Sequence, residues 1–283
     1  MTVVAAATAV AAPALSAADV NDARRFGGTA RLYGGNAFER LQAAHVCVIG
    51  IGGVGSWTAE ALARSGVGRL TLIDLDHVAE SNINRQIHAL DATLGQAKVQ
   101  AMAERIAAYS PRCQVELVED FLDVDNAERL LQGFDVVVDA IDQVRAKVAI
   151  ALCCRARGMA LVMAGGAGGK IDPARIGVDD LTRTVQDPLL SKVRARLRKE
   201  HGFSRDPKRR FGIEAVFSTE APRQPERGCD AIAPQGLACA GYGSSVMMTA
   251  SVGLLCAARA VDAILRQPVA PVRTQAGREA QAA

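Results

Sequence analysis

The sequence predicts an α/β fold: a mostly parallel sheet with helices on both faces, extended by a smaller mixed part on the C-terminal side. Short apolar runs alternate with segments of helical periodicity between residues 45 and 163, as in folds whose helices cross over between parallel strands. The 283 residues are enough to bury a sizeable core, and a content of 49% apolar and 22% charged residues is typical of a globular chain.

Five short apolar runs predict buried strands, at residues 45–50, 70–74, 115–118, 135–139 and 161–163. Helical periodicity predicts helices between them, at residues 53–65, 96–109, 125–131 and 144–157, and we expect residues 76–94 to form a loop with short turns. Beyond residue 171 the elements are shorter: a helix at 188–200, a strand at 213–217 and an exposed, proline-containing loop at 222–234.

Three further segments have distinctive compositions. Residues 1–20 are rich in alanine and lack the basic start of a signal peptide, so we expect a disordered extension. The polar residues 268–283 are expected to form a mobile tail. The apolar stretch 246–265 is interrupted by Arg259 and Asp262, which favours a buried core helix over a transmembrane helix and predicts no integral membrane role.

The seven cysteines are spaced irregularly and include no Cys-x-x-Cys pair. The spacing gives no support for a structural zinc site, so we expect a protein without zinc. Unpaired cysteines inside apolar runs are typical of a reducing compartment, and we expect a cytoplasmic location.

A glycine loop, Gly-Ile-Gly-Gly-Val-Gly at residues 50–55, joins the first predicted strand to the first helix of the sheet. Glycines let the backbone approach phosphates, and a helix N-terminus offers N–H groups and a favourable dipole to them. Asp74 ends the next strand, where its carboxylate can accept hydrogen bonds from ribose hydroxyls. These features predict a bound nucleotide, but they do not separate NAD from ATP.

The residues that follow Asp74 favour ATP. Asn82, Arg85 and Gln86 bring amides and a guanidinium just past the ribose position, where they can orient phosphate oxygens. Lys98 opens the following helix and can add a charge to the same phosphates. A hydride-transfer site would leave this cluster without a role.

Two carboxylates close the fourth predicted strand, at the edge of the sheet that faces the ligand in such folds. Mg²⁺ in nucleotide sites usually binds one or two carboxylates together with substrate phosphates. Asp142 lies past the strand end and is our candidate Mg²⁺ ligand. For Asp139, capping of the following turn is an equally good alternative.

These motifs together resemble the adenylating superfamily of ubiquitin-activating, thiamine-biosynthesis and molybdopterin-biosynthesis enzymes. They are the glycine loop, Asp74-Leu-Asp76, Ser81-Asn-Ile-Asn-Arg-Gln86, Gly95-Gln-Ala-Lys98 and Asp139-Ala-Ile-Asp142. Over about residues 24 to 262, the chain is similar more narrowly to the tRNA threonylcarbamoyladenosine dehydratase family. The motifs of this narrower similarity are Arg25-Phe-Gly-Gly-Thr-Ala-Arg-Leu-Tyr-Gly34, Arg85-Gln-Ile-His-Ala89, Gly165-Gly-Ala-Gly-Gly169, Asp187-Pro-Leu with the basic helix after it, and Val216-Phe-Ser-Thr-Glu220.

The resemblance implies an enzyme that binds ATP with Mg²⁺ and joins AMP to a carboxylate. It implies catalytic roles for Arg85, Lys98 and Asp142, with Asp142 also holding Mg²⁺, and Asp74 on the ribose. In a homodimer, Arg31 would reach the ATP of the partner. The implied nucleotide contacts, carried over by position, are Gly52, Gly53, Gly55, Asp74, Asn82, Arg85, Gln86 and Lys98.

The implied reaction is ATP-dependent dehydration of threonylcarbamoyladenosine, the modified base beside the tRNA anticodon. AMP would activate the threonine carboxylate, and the carbamoyl group would then attack it, close a ring and expel AMP. We expect a single domain at residues 21–267, with an ATP-binding half at 21–165 and a tRNA-binding and substrate half at 166–267. Some relatives are linked with a cysteine-desulfurase and sulfur-acceptor system, which makes such a system a candidate partner.

Residues 183–210, called here the basic segment, contain ten basic and three acidic residues. Their net charge is +7, and the rest of the chain therefore carries −4. Such a segment on an otherwise acidic protein predicts contact with a polyanion, and the resemblance names tRNA. Phe203 and Phe211 are the nearest aromatic candidates for stacking on bases. The expected phosphate contacts are Lys192, Arg194, Arg196, Arg198, Lys199, Lys208, Arg209 and Arg210.

Three alternatives remain at this point. An activator of a sulfur-carrier or ubiquitin-like protein would need a cysteine nucleophile, for which Cys239 is the candidate, although ring closure requires none. A NAD-dependent dehydrogenase would leave the cluster at residues 82–86 and Asp142 without roles. A non-catalytic tRNA-binding module would not need Arg85, Lys98 and Asp142 together.

Overall fold

The computed structural model describes residues 21–206, 208–223 and 242–266. Residues 1–20 and 268–283, and most of the predicted loop at 222–234, lie outside this part of the chain. The strands of the described residues are β1 (His45–Ile49), β2 (Arg69–Ile73), β3 (Gln114–Val118), β4 (Val136–Asp139), β5 (Ala160–Ala164), β6 (Ile176–Asp180) and β7 (Glu214–Ser218). The α-helices are α1 (Asp22–Tyr33), α2 (Ala37–Ala43), α3 (Gly55–Arg64), α4 (Lys98–Tyr109), α5 (Ala127–Leu130), α6 (Val144–Arg157), α7 (Pro188–Glu200) and α8 (Val246–Arg266).

The seven strands form one sheet in the order β3-β2-β1-β4-β5-β7-β6. Strands β1 to β5 and β7 pair in parallel, and β6 pairs antiparallel with β7 at the edge. This sheet confirms the predicted fold class. The five strands and four crossing helices expected in the first half are present, with ends shifted by a few residues.

Helices α1 and α2 and strand β6 were not predicted from the sequence. Helix α1 contains Gly27 and Gly28, which weaken helical propensity, so its periodicity gave no clear signal. Strand β6 is short, includes Gly177 and ends in two aspartates. It pairs on one side only, and edge strands of this kind lack the apolar run that marks a buried strand.

Alternating side chains of the central strands enter two separate cores. Val46 and Val48 of β1 point to the face covered by α3, α4 and α8, while Cys47 and Ile49 point to the face covered by α6 and α7. All four side chains are almost completely buried. The apolar runs of the sequence therefore correspond to strands buried on both faces, as is usual for parallel sheets.

Helix α8 is long and apolar enough to span a membrane, but it is packed against the sheet and against α3. Val252, Cys256 and Ala260 are buried in the first core. A Cβ atom at Gly253 would lie 2.5 Å from the Val54 carbonyl oxygen, so glycine is what allows the two helices to approach this closely. Within the described residues α8 is the core helix that the sequence predicted.

Candidate active site

The glycine loop lies at the point where the strand order reverses. Strand β1 has β2 on one side and β4 on the other, so the crossovers from β1 and β4 leave in opposite directions and open a crevice at their carboxyl ends. A Cβ atom at Gly55 would sit 1.8 Å from the Gly50 carbonyl oxygen, and Gly50 adopts a φ of +83°. The loop can close this tightly, directly before α3, only with glycine at these positions.

Asp74 holds the glycine loop from the end of β2. Its carboxylate accepts hydrogen bonds from the Ile51 amide at 2.5 Å and the Asp76 amide at 2.8 Å. Burial raises the pKa of Asp74, and the charge of Lys98 and the two amides lower it in part. The structure thus places Asp74 beside the loop at the expected ribose position, with a further role in shaping the loop.

The amide and guanidinium cluster follows in a tight turn. Asn82 is buried, and its Oδ1 accepts the Ala79 amide at 3.1 Å, so this residue shapes the turn. The Arg85 guanidinium contacts the Ser81 carbonyl oxygen at 2.6 Å and Asn84 Oδ1 at 2.9 Å. Its Cδ lies 3.5 Å from the position of a Cβ atom at Gly53, which places Arg85 next to the glycine loop.

Gln86 points towards the same loop. Its Nε2 lies 3.9 Å from the position of a Cβ atom at Gly52. The side chain is 5% exposed, and Oε1 has no hydrogen-bond partner among the residues that the structure describes. Leaving a buried polar atom unpaired costs about 1–3 kcal/mol. Nε2 is the hydrogen-bond donor of this side chain and is therefore the atom that can reach a phosphate oxygen beside the glycine loop, while Oε1 needs a donor from a ligand.

Lys98 begins α4 and turns its ammonium back towards β2. Nζ lies 2.7 Å from Asp76 Oδ2, and the lysine side chain is 8% exposed while that of Asp76 is 56% exposed. The charge therefore stays near the carboxyl end of β2, where the predicted phosphate contact requires it. Its present partner is a solvated carboxylate, so the ion pair itself is weak.

The two aspartates at the end of β4 differ in role. Asp139 is completely buried, and its Oδ1 accepts the Ile141 amide at 3.2 Å and pairs with Lys147 at 3.0 Å, so it caps the turn. Asp142 is half-buried and follows Ile141, whose side chain packs over Gly50. A single carboxylate beside a phosphate-binding loop fits the ligand set that Mg²⁺ uses in nucleotide sites, and Asp142 remains the candidate.

The described cysteines are poor nucleophiles. Cys47, Cys113, Cys153, Cys154 and Cys256 are free thiols, and burial raises the pKa of each of them, to about 12 for Cys113, Cys154 and Cys256. Thiolate is the reactive form, so none of these five suits covalent catalysis. Cys239 lies outside the described residues.

His88 is a buried histidine whose burial was not predicted from the sequence. It is 1% exposed, and neither ring nitrogen has a hydrogen-bond partner within the described ranges. Burial lowers the pKa of His88 to about 4, with further lowering by the charges of Lys98 and Arg105. The imidazole is therefore neutral at physiological pH, next to the lysine of the site.

His88 gives the protein a predictable acid sensitivity. Between pH 6.5 and pH 4 the unfolded chain binds a proton that the folded chain does not, so the contribution of neutral His88 to stability is complete above pH 6.5 and is lost as the pH falls. The loss amounts to about 3 kcal/mol near pH 4. We expect His88→Leu to flatten this part of a urea-unfolding profile measured against pH. An unchanged slope in the variant would contradict the assignment.

Some basic side chains of the basic segment are exposed, and others bond to groups inside the protein. Arg194 is half-buried and donates to the Leu181 and Thr184 carbonyl oxygens and to Thr184 Oγ1 at 2.6 to 3.1 Å, and burial lowers its pKa. Arg194 thus ties α7 to the preceding turn through one nitrogen of its guanidinium, and its contact with phosphate stays a prediction. The exposed predicted contacts are Lys192, Lys199, Lys208, Arg209 and Arg210.

Two further arginines and both phenylalanines also have partners inside the protein. Arg196 pairs with Glu200 at 2.8 Å, and Arg198 donates to the Ser204 carbonyl oxygen and lies over the ring of Phe211. Phe203 is 5% exposed and packs edge-on against Phe211, so Phe203 cannot stack on a base as predicted. The aromatic pair anchors the segment to the second core.

Comparison with known proteins identifies similar chains over nearly the whole length. The ThiF family matches residues 28–278. A tRNA threonylcarbamoyladenosine dehydratase of Haemophilus influenzae is 46% identical over 250 residues, which cover 87% of this chain and 95% of that protein. The solved structure of E. coli tRNA N6-threonylcarbamoyladenosine dehydratase in complex with ATP is 46% identical, with a TM-score of 0.78, and the match covers 86% of this chain and 94% of that one. A molybdopterin-synthase adenylyltransferase of Salmonella typhimurium is 41% identical over 106 residues only, 38% of this chain and 43% of that protein.

Proposed function

This chain belongs to the ThiF family, and from that premise we propose that it is an ATP-dependent enzyme that dehydrates threonylcarbamoyladenosine in tRNA. The observation that carries the proposal is similarity to dehydratases over nearly the full length of both proteins, one of them solved with ATP. The glycine loop, Arg85, Lys98 and Asp142 supply the charges and the backbone approach that such chemistry needs. The enzyme acts through an acyl-adenylate on the threonine carboxylate.

In the first step a threonine carboxylate oxygen bonds to the α-phosphorus of ATP, and pyrophosphate leaves. The glycine loop and the N-terminus of α3 hold the phosphates, while Asp74 keeps the loop in place and contacts the ribose. Lys98, Arg85 and Gln86 face the phosphates and offset the charge that develops as the bond to pyrophosphate breaks. Asp142 is the residue that would hold Mg²⁺, and the ion would supply further neutralisation of that charge.

In the second step the carbamoyl group attacks the activated carboxyl carbon, closes a ring and expels AMP. The overall change is the loss of one water from the modified base, with ATP converted to AMP and pyrophosphate. AMP is a good leaving group and carboxylate oxygen is a poor one, which explains the need for adenylation. Ring closure is intramolecular, so placement of the substrate provides much of the acceleration.

Mass spectrometry of nucleosides tests this function directly. We expect threonylcarbamoyl-modified tRNA, incubated with the enzyme, ATP and Mg²⁺, to yield an adenosine derivative lighter by one water. The change should depend on ATP, and Lys98→Ala should lower its rate by about 10²–10³-fold. An unchanged nucleoside in the presence of a folded, ATP-binding enzyme would refute the proposal.

The second candidate is adenylation of the C-terminus of a sulfur-carrier or ubiquitin-like protein. The partial match to a molybdopterin-synthase adenylyltransferase favours it, but that match covers 38% of this chain. An enzyme of this kind would then pass the activated carrier protein to a cysteine thiolate. The raised thiol pKa values of the five described cysteines leave that step without a nucleophile among them. An unchanged nucleoside together with AMP transfer to a carrier protein would favour this candidate.

The exposed part of the basic segment is proposed to bind tRNA phosphates. We expect Lys192→Ala/Lys199→Ala to weaken tRNA binding and to lower the slope of log Kd against log salt by about one for each phosphate interaction that the variant removes. The Kd for ATP should not change. Arg129→Ala, which removes an exposed charge from α5, is the matched control. Equal tRNA affinity and slope in the double variant and in the control would contradict this surface.

Exposed apolar side chains support the proposal of a homodimer. Met247, Leu254 and Ala258 lie along one exposed face of α8 at helical spacing, and Leu254 lines a groove with Ile176 of β6. Met247 is 60% exposed and Leu254 50% exposed. Apolar rows of this kind commonly mark an interface between subunits.

The end of α1 carries the residue expected to act across that dimer. Arg31 is exposed, and its neighbours Leu32 and Tyr33 are exposed apolar residues at 77% and 43%. Arg25, an alternative donor in the same helix, bonds to the Tyr109 carbonyl oxygen of its own chain. We therefore retain Arg31 as the residue that reaches the ATP of the partner subunit.

Mixing two inactive variants tests the role of Arg31 in the dimer. Arg31→Ala and Lys98→Ala should each be inactive alone. After co-expression, half of the dimers combine one of each, and one of their two sites then has both residues, so about a quarter of wild-type activity should return. No recovery in demonstrated mixed dimers would show that Arg31 does not act across the interface.

The cellular setting is also part of the proposal. Free cysteines in the described residues fit a reducing compartment, and we propose a cytoplasmic enzyme that requires Mg²⁺ and no zinc. A cysteine-desulfurase and sulfur-acceptor system stays a candidate partner.

A further inference from the structure

A second glycine segment, the glycine turn at residues 165–169, lies beside the adenylating site. It follows β5, which pairs with β4, so the turn and Asp142 lie on the same edge of the sheet. Lys147 joins the two strand ends, because Nζ donates to the Ala164 carbonyl oxygen at 2.8 Å and pairs with Asp139. The turn thus forms the wall of the crevice on the side away from Asp74.

One buried carboxylate holds this turn. Asp187 is 4% exposed, and its Oδ2 accepts the Gly166 amide at 2.9 Å. A Cβ atom at Gly165 would sit 2.2 Å from the same oxygen, so residue 165 must be glycine for the carboxylate to approach. Lys170 lies below, with Nζ 3.6 Å from Asp187 Oδ2 and 3.2 Å from the Ser218 carbonyl oxygen of β7.

The other oxygen of the same carboxylate caps the N-terminus of α7. Asp187 Oδ1 accepts the Leu190 amide at 2.9 Å and is the N-cap of α7, with Pro188 at the first helical position. Helix α7 carries Lys192 and Lys199, the exposed charges proposed to bind tRNA phosphates. Asp187 therefore connects the tRNA-binding helix to the wall of the adenylating site through two hydrogen bonds from one side chain.

We propose that Asp187 is a positioning residue that sets the glycine turn relative to α7, so that tRNA held on α7 presents the threonine carboxylate of its modified base to the α-phosphate of ATP in a fixed position. This inference rests on the proposed function, since it concerns the placement of the same tRNA substrate. It assigns Asp187 a role in turnover and not in affinity, because its carboxylate is buried and already bonds to the Gly166 and Leu190 amides. Lys170 balances the charge of Asp187 inside the protein.

Two variants disturb this link in different ways. Asp187→Asn has one oxygen instead of two, so either the Gly166 amide or the Leu190 amide loses its acceptor. Gly165→Ala keeps the carboxylate and its pairing with Lys170, but its Cβ forces the turn and Asp187 apart. Gly177→Ala, on β6 and outside the glycine turn, is the matched control, because a Cβ atom there has no neighbour within 4 Å. Asp123→Asn controls for the loss of charge at an exposed aspartate that accepts a backbone amide.

The experiment compares kcat for dehydration with the Kd values for tRNA and ATP, after thermal melting has shown that each variant is folded. We expect kcat to fall about 10²-fold in Asp187→Asn and in Gly165→Ala, since a displacement of about 1 Å costs this much. Both Kd values should remain at the wild-type level, and the two control variants should retain wild-type kcat. If only one variant folds, that variant alone provides the test.

Two results would overturn the inference. A loss of tRNA affinity that accounts for the loss of turnover would make Asp187 only a helix cap, and an unchanged kcat in a folded variant would deny it any role. Failure of the proposed function itself is distinguishable, because the wild-type enzyme would then leave the modified nucleoside unchanged. In that case the inference fails together with its premise.

Discussion

Replacing Lys98 with alanine is expected to lower turnover by about 10²–10³-fold while the fold stays intact, because removal of one preorganised donor to developing charge has this effect in other enzymes. Lys98 Nζ lies near the carboxyl end of β2, beside Asp74 and the glycine loop that Asp74 holds. The loss should appear in the adenylation step, measured as pyrophosphate release with modified tRNA.

The fold is expected to survive because the partner of Lys98 is exposed. The carboxylate of Asp76 is 56% exposed, so water replaces the lost ammonium at little cost. Gln100→Ala, two residues further along α4 and exposed, is the matched control and should retain full turnover. Asp142→Ala should match Lys98→Ala in lost turnover. Full activity in either site variant would remove the assignment of the ATP site.

The sequence was sufficient to predict most of the sheet and the position of the glycine loop between β1 and α3. The apolar runs of β1 and β4 follow from burial on both faces, and the glycine loop and Asp74 follow from the close approach that phosphates require. These signals are local, since each depends on residues within one strand and the loop after it. The predicted helices α6 and α7 have the same bounds in the structure, because glycine, histidine and proline mark their ends.

The hydrogen bonds and ion pairs of buried polar side chains could not be predicted in the same way. Arg194 was expected to contact phosphate because three arginines and two lysines lie close together in the sequence of α7, but only the tertiary structure places the carbonyl oxygens of residues 181 and 184 around it. His88, Lys147 and Asp187 are further cases. Each is a polar residue whose burial depends on elements far away in the chain. A lysine within the apolar segment of α6 was the one available signal.

Replacing Lys147 with methionine is expected to destabilise the whole protein, in contrast to the local effect of Lys98→Ala. The side chains of Lys147 and Asp139 are both 0% exposed, and Nζ also donates to the Ala164 carbonyl oxygen. Removing one partner of a buried ion pair leaves the other charge without compensation and costs about 3–5 kcal/mol. Urea unfolding, followed by circular dichroism, should show a lower midpoint with an unchanged slope.

The double variant Lys147→Met/Asp139→Asn distinguishes this explanation from a simple loss of packing. It removes both charges together, so it should be more stable than Lys147→Met alone, although it has one more substitution. A loss of packing would instead make the double variant at least as unstable as the single one.

The same ion pair should also affect ATP binding. Asp139 caps the turn that leads to Asp142, and Lys147 ties that turn to the glycine turn, so a destabilised pair should weaken ATP binding before the sheet unfolds. ATP affinity equal to wild type in folded Lys147→Met would show that the pair supports the fold without shaping the site.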